Sequence, residues 1–241
     1  MAVKKCLKNI EWRQPTKISR IRVEEEFYIE DMAMWDSKLF ISHYPSHEEN
    51  AEALKKALYE IKEQQQNPID SDVAIFAKHA LFESELNLLT LPYDPLQKFK
   101  AHVEDLIGTI AQAVNEPFWP EGAQAQVDIV ESWYHITQNG GYHDTHSHPN
   151  CSWCGIYYLQ EGESSIDGRN GVNRFYDPRH GADHYQDAGT AYLSADGFMD
   201  FSPLAGQIIV FPSYLKHAAM PYFGASDRIV LAFNCQVNVK I

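Results

Sequence analysis

Four short stretches in the second half of the chain limit its fold most: "VDIVESWYHIT", "WCGIYYLQ", "GQIIVFPS" and "RIVLAFNCQVNV". Each is rich in Val, Ile, Tyr or Phe, and clusters of Gly, Pro, Asn and Asp separate them, the pattern of strands bounded by turns. No helix-length apolar periodicity lies between them. Antiparallel pairing into a sandwich or barrel is therefore expected, rather than a parallel sheet with crossover helices. Residues 161–205 are Gly- and Asp-rich and long for a plain loop, so a strand near "NRFYDP" and a mobile lid are expected there.

The N-terminal part reads differently. "SHEENAEALKKALYEIKEQQQNP" places Ser46 and Glu49 in capping-box spacing, Leu54, Leu58 and Ile61 at helical intervals, and Pro68 as a stop. "YDPLQKFKAHVEDLIGTIAQAVN" offers Asp94 as N-cap and Pro95 at the first helical position, with Leu96, Phe99, Val103, Leu106 and Ile110 tracing one face. The expected organisation is a helix-rich elaboration over residues 1–125 packed on a mainly β core over residues 126–241. With 241 residues, 44 % of them apolar, the chain can bury a core without covalent staples. No apolar run reaches the length of a membrane span, and "MAVKKCLKNIEWRQ" lacks a signal-peptide stretch, so a cytoplasmic location is expected. A net charge of −13, with no basic cluster denser than "KK", argues against gripping duplex nucleic acid. Four cysteines (Cys6, Cys151, Cys154, Cys235) are too few and too scattered for a disulfide framework.

The chemistry concentrates in "GYHDTHSHPNCSWCGIYYL", residues 141–159. On an extended segment Asp144, His146 and His148 share one face and His143 takes the other. Two imidazoles at i and i+2 can grip one metal ion, although a solvated Gly-Gly loop would account for the same residues. Further on, an apolar strand ends at Phe211-Pro212-Ser213 and His217 follows; Arg228 then opens a strand on which Val230, Ala232 and Asn234 share its face. An arginine facing a barrel interior must meet an anion, because buried charge has to be paired, and its fork suits a carboxylate. An arginine at the strand's edge would instead pair in solvent. The sequence leaves both readings open.

Taken together, "HSHPNCSWCGIYY" (146–158), "GQIIVFPSYLKH" (206–217) and "RIVLAFN" (228–234) resemble the double-stranded β-helix (jelly-roll, cupin-like) core of Fe(II)- and 2-oxoglutarate-dependent oxygenases. Within that superfamily they are similar to a bacterial and phage group with the core "HxHPxxxxxGxYY … GxxxxFPSxLxH … RxxxAFN". The resemblance implies His146 as first iron ligand, His217 as the distal one, and Arg228 on the remote carboxylate of 2-oxoglutarate. Tyr157 or Tyr158 would help, and Asn234 falls in the same cofactor-binding set. It also implies Fe(II), 2-oxoglutarate and O₂ as cofactors. The reaction would be hydroxylation of a C–H bond in a small molecule or protein side chain, with release of succinate and CO₂, in a chain free of membrane and open to homodimer formation.

One position departs from the superfamily: the slot two residues after the first histidine usually holds an acid, and here it holds His148. His148 could be a third neutral ligand, Asp144 could supply the carboxylate, or water could complete a two-histidine site. His146, His148 and His217 are taken as the metal set.

Other signals carry less. "CSWC" has CxxC spacing but no second ligand pair for zinc and no following helix for a thioredoxin-type motif. His180 and His184 have i, i+4 spacing on a Gly-containing loop rather than a helix. His135 reads as a sheet histidine, and Trp133 and Trp153 as core or pocket wall. Two other classes compete with the oxygenase. One is a cupin isomerase or lyase, which has no general need for Arg228; the other is a non-catalytic β-helix module, which would bind no metal.

Overall fold

The computed structural model describes residues 18–22, 28–32, 36–65, 78–179, 188 and 197–241. The expected Pro68 stop, His180, His184 and part of the stretch expected to hold the lid (180–187 and 189–196) lie outside them. A two-stranded ribbon pairs β1 (Ile18–Arg22) with β2 (Tyr28–Met32). The main element is a curled antiparallel sheet of nine strands: β3 (Phe40–His43), β4 (Lys78–Glu83), β5 (Gln124–His146), β6 (Trp153–Gln160), β7 (Asn173–Tyr176), β8 (Phe198–Phe201), β9 (Gln207–Pro212), β10 (His217–Tyr222) and β11 (Arg228–Lys240). Its order is β3-β9-β6-β11-β5-β10-β7-β8, with β4 also on β5. This is the antiparallel arrangement that the strand pattern predicts and the jelly-roll class that the family resemblance implies.

β5 holds the curl together. Its first part pairs with β11 (Thr137 opposite Arg228), and its last part pairs with β10 (His146 opposite His217). The strand expected at 127–137 therefore runs nine residues further, through Gly140-Gly141. Gly140 has φ +82°, and a Cβ on Gly141 would lie 2.5 Å from the Ala80 carbonyl oxygen. These glycines let the strand kink onto a new partner instead of ending.

Alternation gives the sheet two faces. Tyr134 and Ile136 of β5, Tyr157 and Leu159 of β6, and Ile229, Leu231 and Phe233 of β11 are buried against α1 (His47–Gln64) and α2 (Asp94–Asn115). These helices contribute Leu54, Leu58, Ile61, Leu96, Phe99, Val103, Ile107 and Ile110. The opposite face carries Cys154, Ile156 and Tyr158 of β6 and Val230 of β11, packed with Phe175, Phe211 and Leu215. Gly155 makes room for the ring of its ladder partner: a Cβ there would sit 2.0 Å from the Phe233 ring.

Two helix details differ from expectation. Ser46 is the N-cap of α1 but makes no side-chain capping bond. α2 begins at Asp94 with Tyr93 as N-cap, and Ile107 rather than Leu106 is fully buried, because position 107 falls about three turns after Leu96 on the same face while Leu106 lies at the edge of the stripe. β3 and β4, from the N-terminal part, are strands of the main sheet. Among the described residues no helix is long and apolar enough to cross a membrane.

Candidate metal and 2-oxoglutarate site

The site sits on the face away from the helices, where β5 hands over to β10. His146 ends β5 and His217 opens β10, and the two are direct cross-strand partners. His148 follows in the turn, where its N–H donates to the Ser213 carbonyl at 3.1 Å. Ring centroids are 4.3 Å apart for His146–His217, 4.9 Å for His146–His148 and 5.1 Å for His148–His217. One ligand atom from each lies within 4.8 Å of the others.

Hydrogen bonds fix the tautomers of two of the three. His146 Nδ1–H donates to the Asp144 carbonyl at 2.8 Å, and His217 Nδ1–H to the Leu215 carbonyl at 3.1 Å. Both Nε2 atoms are thereby left unprotonated, the usual posture of a metal-ligating imidazole. His148 has no carbonyl behind it. Its Nδ1 faces Asn234 Nδ2 at 3.4 Å, and its Nε2 lies 3.3 Å from His217 Nε2. Burial, then the neighbouring imidazoles, push His217 down to about 3 and His148 down to about 4; burial also lowers His146. All three are neutral at pH 7, which is the form that binds metal.

Arg228 lies on the same face, 2 % exposed. Its Nη2 donates to Asn173 Oδ1 at 2.7 Å, Tyr158 OH donates to the same oxygen at 2.9 Å, and the guanidinium sits 5.7 Å from the Tyr158 ring centroid. Its Nε has no partner, and among the described residues no carboxylate pairs with it. Burial lowers its pKa, which marks a charge held without compensation. The sequence reading of the Arg228, Val230, Ala232, Asn234 face matches the cavity wall, since all four line it. Of the two edge-versus-interior readings of Arg228, the structure shows the interior one.

Two expectations, and one of the alternatives for the third ligand, need correction. Tyr157 is not at the cavity: one residue from Tyr158 on a strand, it points to the helix side, where its OH meets His47 Nδ1 at 2.6 Å and its ring packs on Phe99. His143 does not face away from His146. The register shift in the β5–β10 ladder breaks the parity, and the two rings stack at 4.0 Å. Asp144 is exposed, and its carboxylate accepts from the Thr145 N–H. It belongs to neither histidine group.

A second group, unforeseen in the sequence, lies beside the first: Glu83, His135 and His143. Here Lys78 Nζ donates to both Glu83 oxygens at 2.6 Å, and His135 Nε2–H donates to Glu83 Oε2 at 2.7 Å. Burial would raise Glu83, but His135 and Lys78 prevail and hold it at about 2. Spacing could not reveal it, because Lys78 and Glu83 reach His135 only through β4–β5 pairing. Asn173, which links Arg228 to Tyr158, was likewise hidden in the "NRFYDP" strand.

The donor set suits Fe(II): convergent neutral imidazoles that leave coordination positions open, beside an unpaired buried guanidinium for a carboxylate. The comparisons agree. Residues 131–234 match the family described as "Putative 2OG-Fe(II) oxygenase". Over that stretch the chain is similar to the 2OG-Fe(II) oxygenases, oxidoreductases that use Fe(II), 2-oxoglutarate and O₂.

Three solved structures share the fold. A Pseudomonas putida prolyl-4-hydroxylase has TM-score 0.55 at 17 % identity, over 82 % of this chain and 92 % of that one. HygX from Streptomyces hygroscopicus, with nickel and 2-oxoglutarate bound, has TM-score 0.54 at 11 % identity over 83 % of each chain. A Trichoplax adhaerens prolyl hydroxylase, in complex with a hypoxia inducible factor peptide fragment, has TM-score 0.53 at 10 % identity over 81 % and 82 %. No curated protein matches the chain in sequence.

Proposed function

We propose that the protein is a hydroxylase in which His146, His148 and His217 hold Fe(II) and Arg228, with Tyr158 and Asn173, takes the distal carboxylate of 2-oxoglutarate. One observation carries this reading: a fully buried arginine without a carboxylate shares a sheet face with three neutral, converging imidazoles. The bound metal would supply oxidising power from O₂, so that substrate C–H, O₂ and 2-oxoglutarate give substrate C–OH, succinate and CO₂.

The chain's own work is positional. The Asp144 and Leu215 carbonyls hold His146 and His217 with Nε2 turned inward. Arg228 and the Tyr158 hydroxyl fix one end of the co-substrate, and Phe175 and Phe211 pack on His217 and keep water from that side. Asn234 borders the His148 end. The substrate is a small molecule or a protein side chain; among the similar structures, one is solved with hygromycin B and one with a peptide fragment. The helix-rich part up to residue 125 serves as a buttress, and a cytoplasmic location and an optional homodimer complete the reading. A cupin isomerase would have no use for Arg228.

Anaerobic titration of metal-free protein with Fe(II) and 2-oxoglutarate tests the assignment through the visible metal-to-ligand charge-transfer band. The band should require both additions and fade in His146→Ala, His217→Ala and Arg228→Ala. A folded wild type that gives no band at any concentration would refute the reading.

A further inference from the structure

The CxxC pair is left over from this chemistry, and it adjoins it. Cys151 Sγ and Cys154 Sγ lie 3.5 Å apart with both thiols free. Cys154 opens the cavity-facing side of β6 and lines the same cavity as the three histidines. Cys151 is partly exposed and sits in the turn that begins at His148; its S–H donates to the His148 carbonyl at 3.5 Å. Cys235, the nearest other thiol in sequence pairing, faces the helix side and is sealed in that core. No other metal ligands join the pair among the described residues, so zinc does not account for it.

We propose that Cys151 and Cys154 form a redox-active dithiol that a small-molecule disulfide oxidises, and that the resulting bond loosens the grip of His148 on metal. The metal clause rests on the ligand set proposed above; the dithiol does not. The exchange balances in two steps. The more accessible Cys151, as thiolate, attacks the disulfide RS–SR, forming Cys151–S–SR and releasing RS⁻. Cys154 then attacks Cys151 Sγ and releases the second RS⁻, and the two thiol protons leave on the two RS⁻ groups. The protein loses two electrons, and RS–SR becomes two RSH.

Geometry decides which side moves. A disulfide needs sulfurs about 2.05 Å apart, so one thiol must advance by roughly 1.5 Å. Cys154 is fixed by ladder pairing to Asn234 and Phe211 on its two sides. Cys151 lies outside the ladder, in a turn tied by the Asn150 carbonyl to Gln236 Nε2 at 2.7 Å and by the His148 N–H to the Ser213 carbonyl at 3.1 Å, so the Cys151 side chain is the one to swing and the strain falls on the turn that also carries His148. Closure also removes the S–H donor from the His148 carbonyl. Because His148 lacks the carbonyl backing that His146 and His217 have, it is the ligand that such a pull can displace.

The full chain, reduced and then exposed to oxidised glutathione, tests this by two separate readouts. Alkylation and peptide mapping should find a Cys151–Cys154 linkage with loss of two hydrogens, and Cys154→Ser should trap a mixed disulfide on Cys151. Titration with Co(II) should show affinity falling on the order of tenfold on oxidation, the scale of a disturbed outer-shell contact. Reductant should restore it, and Cys151→Ser should show no redox dependence. Free thiols after oxidant, or a linkage that leaves Co(II) affinity unchanged, would overturn the proposal. If reduced wild type takes up no Co(II), the metal-site reading fails, and mapping alone then decides the dithiol.

Discussion

Two histidine groups lie side by side in this cavity, and they differ in how their charge is balanced. Around Glu83 the ledger of charge is closed: a carboxylate, a lysine 2.6 Å away and an imidazole N–H at 2.7 Å satisfy one another. Around His217 three neutral imidazoles converge, and their Nε2 atoms find no cation and no carboxylate. Both groups pass the same distance test. Ligand proximity is therefore a weak criterion; what separates them is whether the protein has already supplied the positive charge.

The sharpest way to break this contrast is to remove a ligand. His217→Ala should weaken Co(II) or Fe(II) binding by more than the ~100-fold seen for outer-shell changes. His143→Ala, which removes only the stacked neighbour, should stay within about tenfold. Calorimetric titration of both distinguishes them; equal losses would mean that the second group also holds metal.

Arg228→Met should cost roughly 100-fold in 2-oxoglutarate affinity, measured by quenching or calorimetry, since a charge-assisted contact is worth up to about 3 kcal/mol. The same change should raise the stability of the ligand-free protein by about 1–3 kcal/mol in denaturant unfolding, because it removes an unpaired buried charge. A destabilised Met variant would show that the Arg228 bond to Asn173 outweighs the cost of its buried charge.

The satisfied group should answer in stability. Glu83 drops from 4.5 to about 2, so its contribution is present above pH 4.5 and is lost as pH falls towards 2. That depression corresponds to about 3 kcal/mol at neutral pH. Glu83→Gln should lose about that much at pH 7 and show a flatter acid limb between pH 4.5 and 2. Urea unfolding across this range checks it, with metal affinity nearly unchanged. The smallest effect separates the adjacent tyrosines. Tyr157→Phe should cost about 1 kcal/mol of stability and leave 2-oxoglutarate binding alone, whereas Tyr158→Phe should weaken that binding by up to about tenfold.

The sequence disclosed these regions unequally. Strands β6, β7, β9 and β11 were legible because each is a compact apolar or aromatic run. "HAAMPY" of β10 was not, since small residues and Pro221 hide a strand whose order comes from β5 and β7. β3 and β4 are short and exist only through β9 and β5. The imidazole triad and Arg228 could be read from motif and alternation, which are local. His143 could not, because its direction depends on a bulge, and Lys78 and Glu83 could not, because only strand pairing brings them to His135.

The direct pairing of His146 with His217 has one more consequence. The distance between the two anchoring donors is written in the main-chain ladder, and the carbonyls that aim them are main-chain atoms too. Side chains around the cavity can therefore be exchanged widely without changing where those two donors sit. Such a site is free to acquire new substrates by mutation at its walls while its reactive geometry is inherited intact from the backbone.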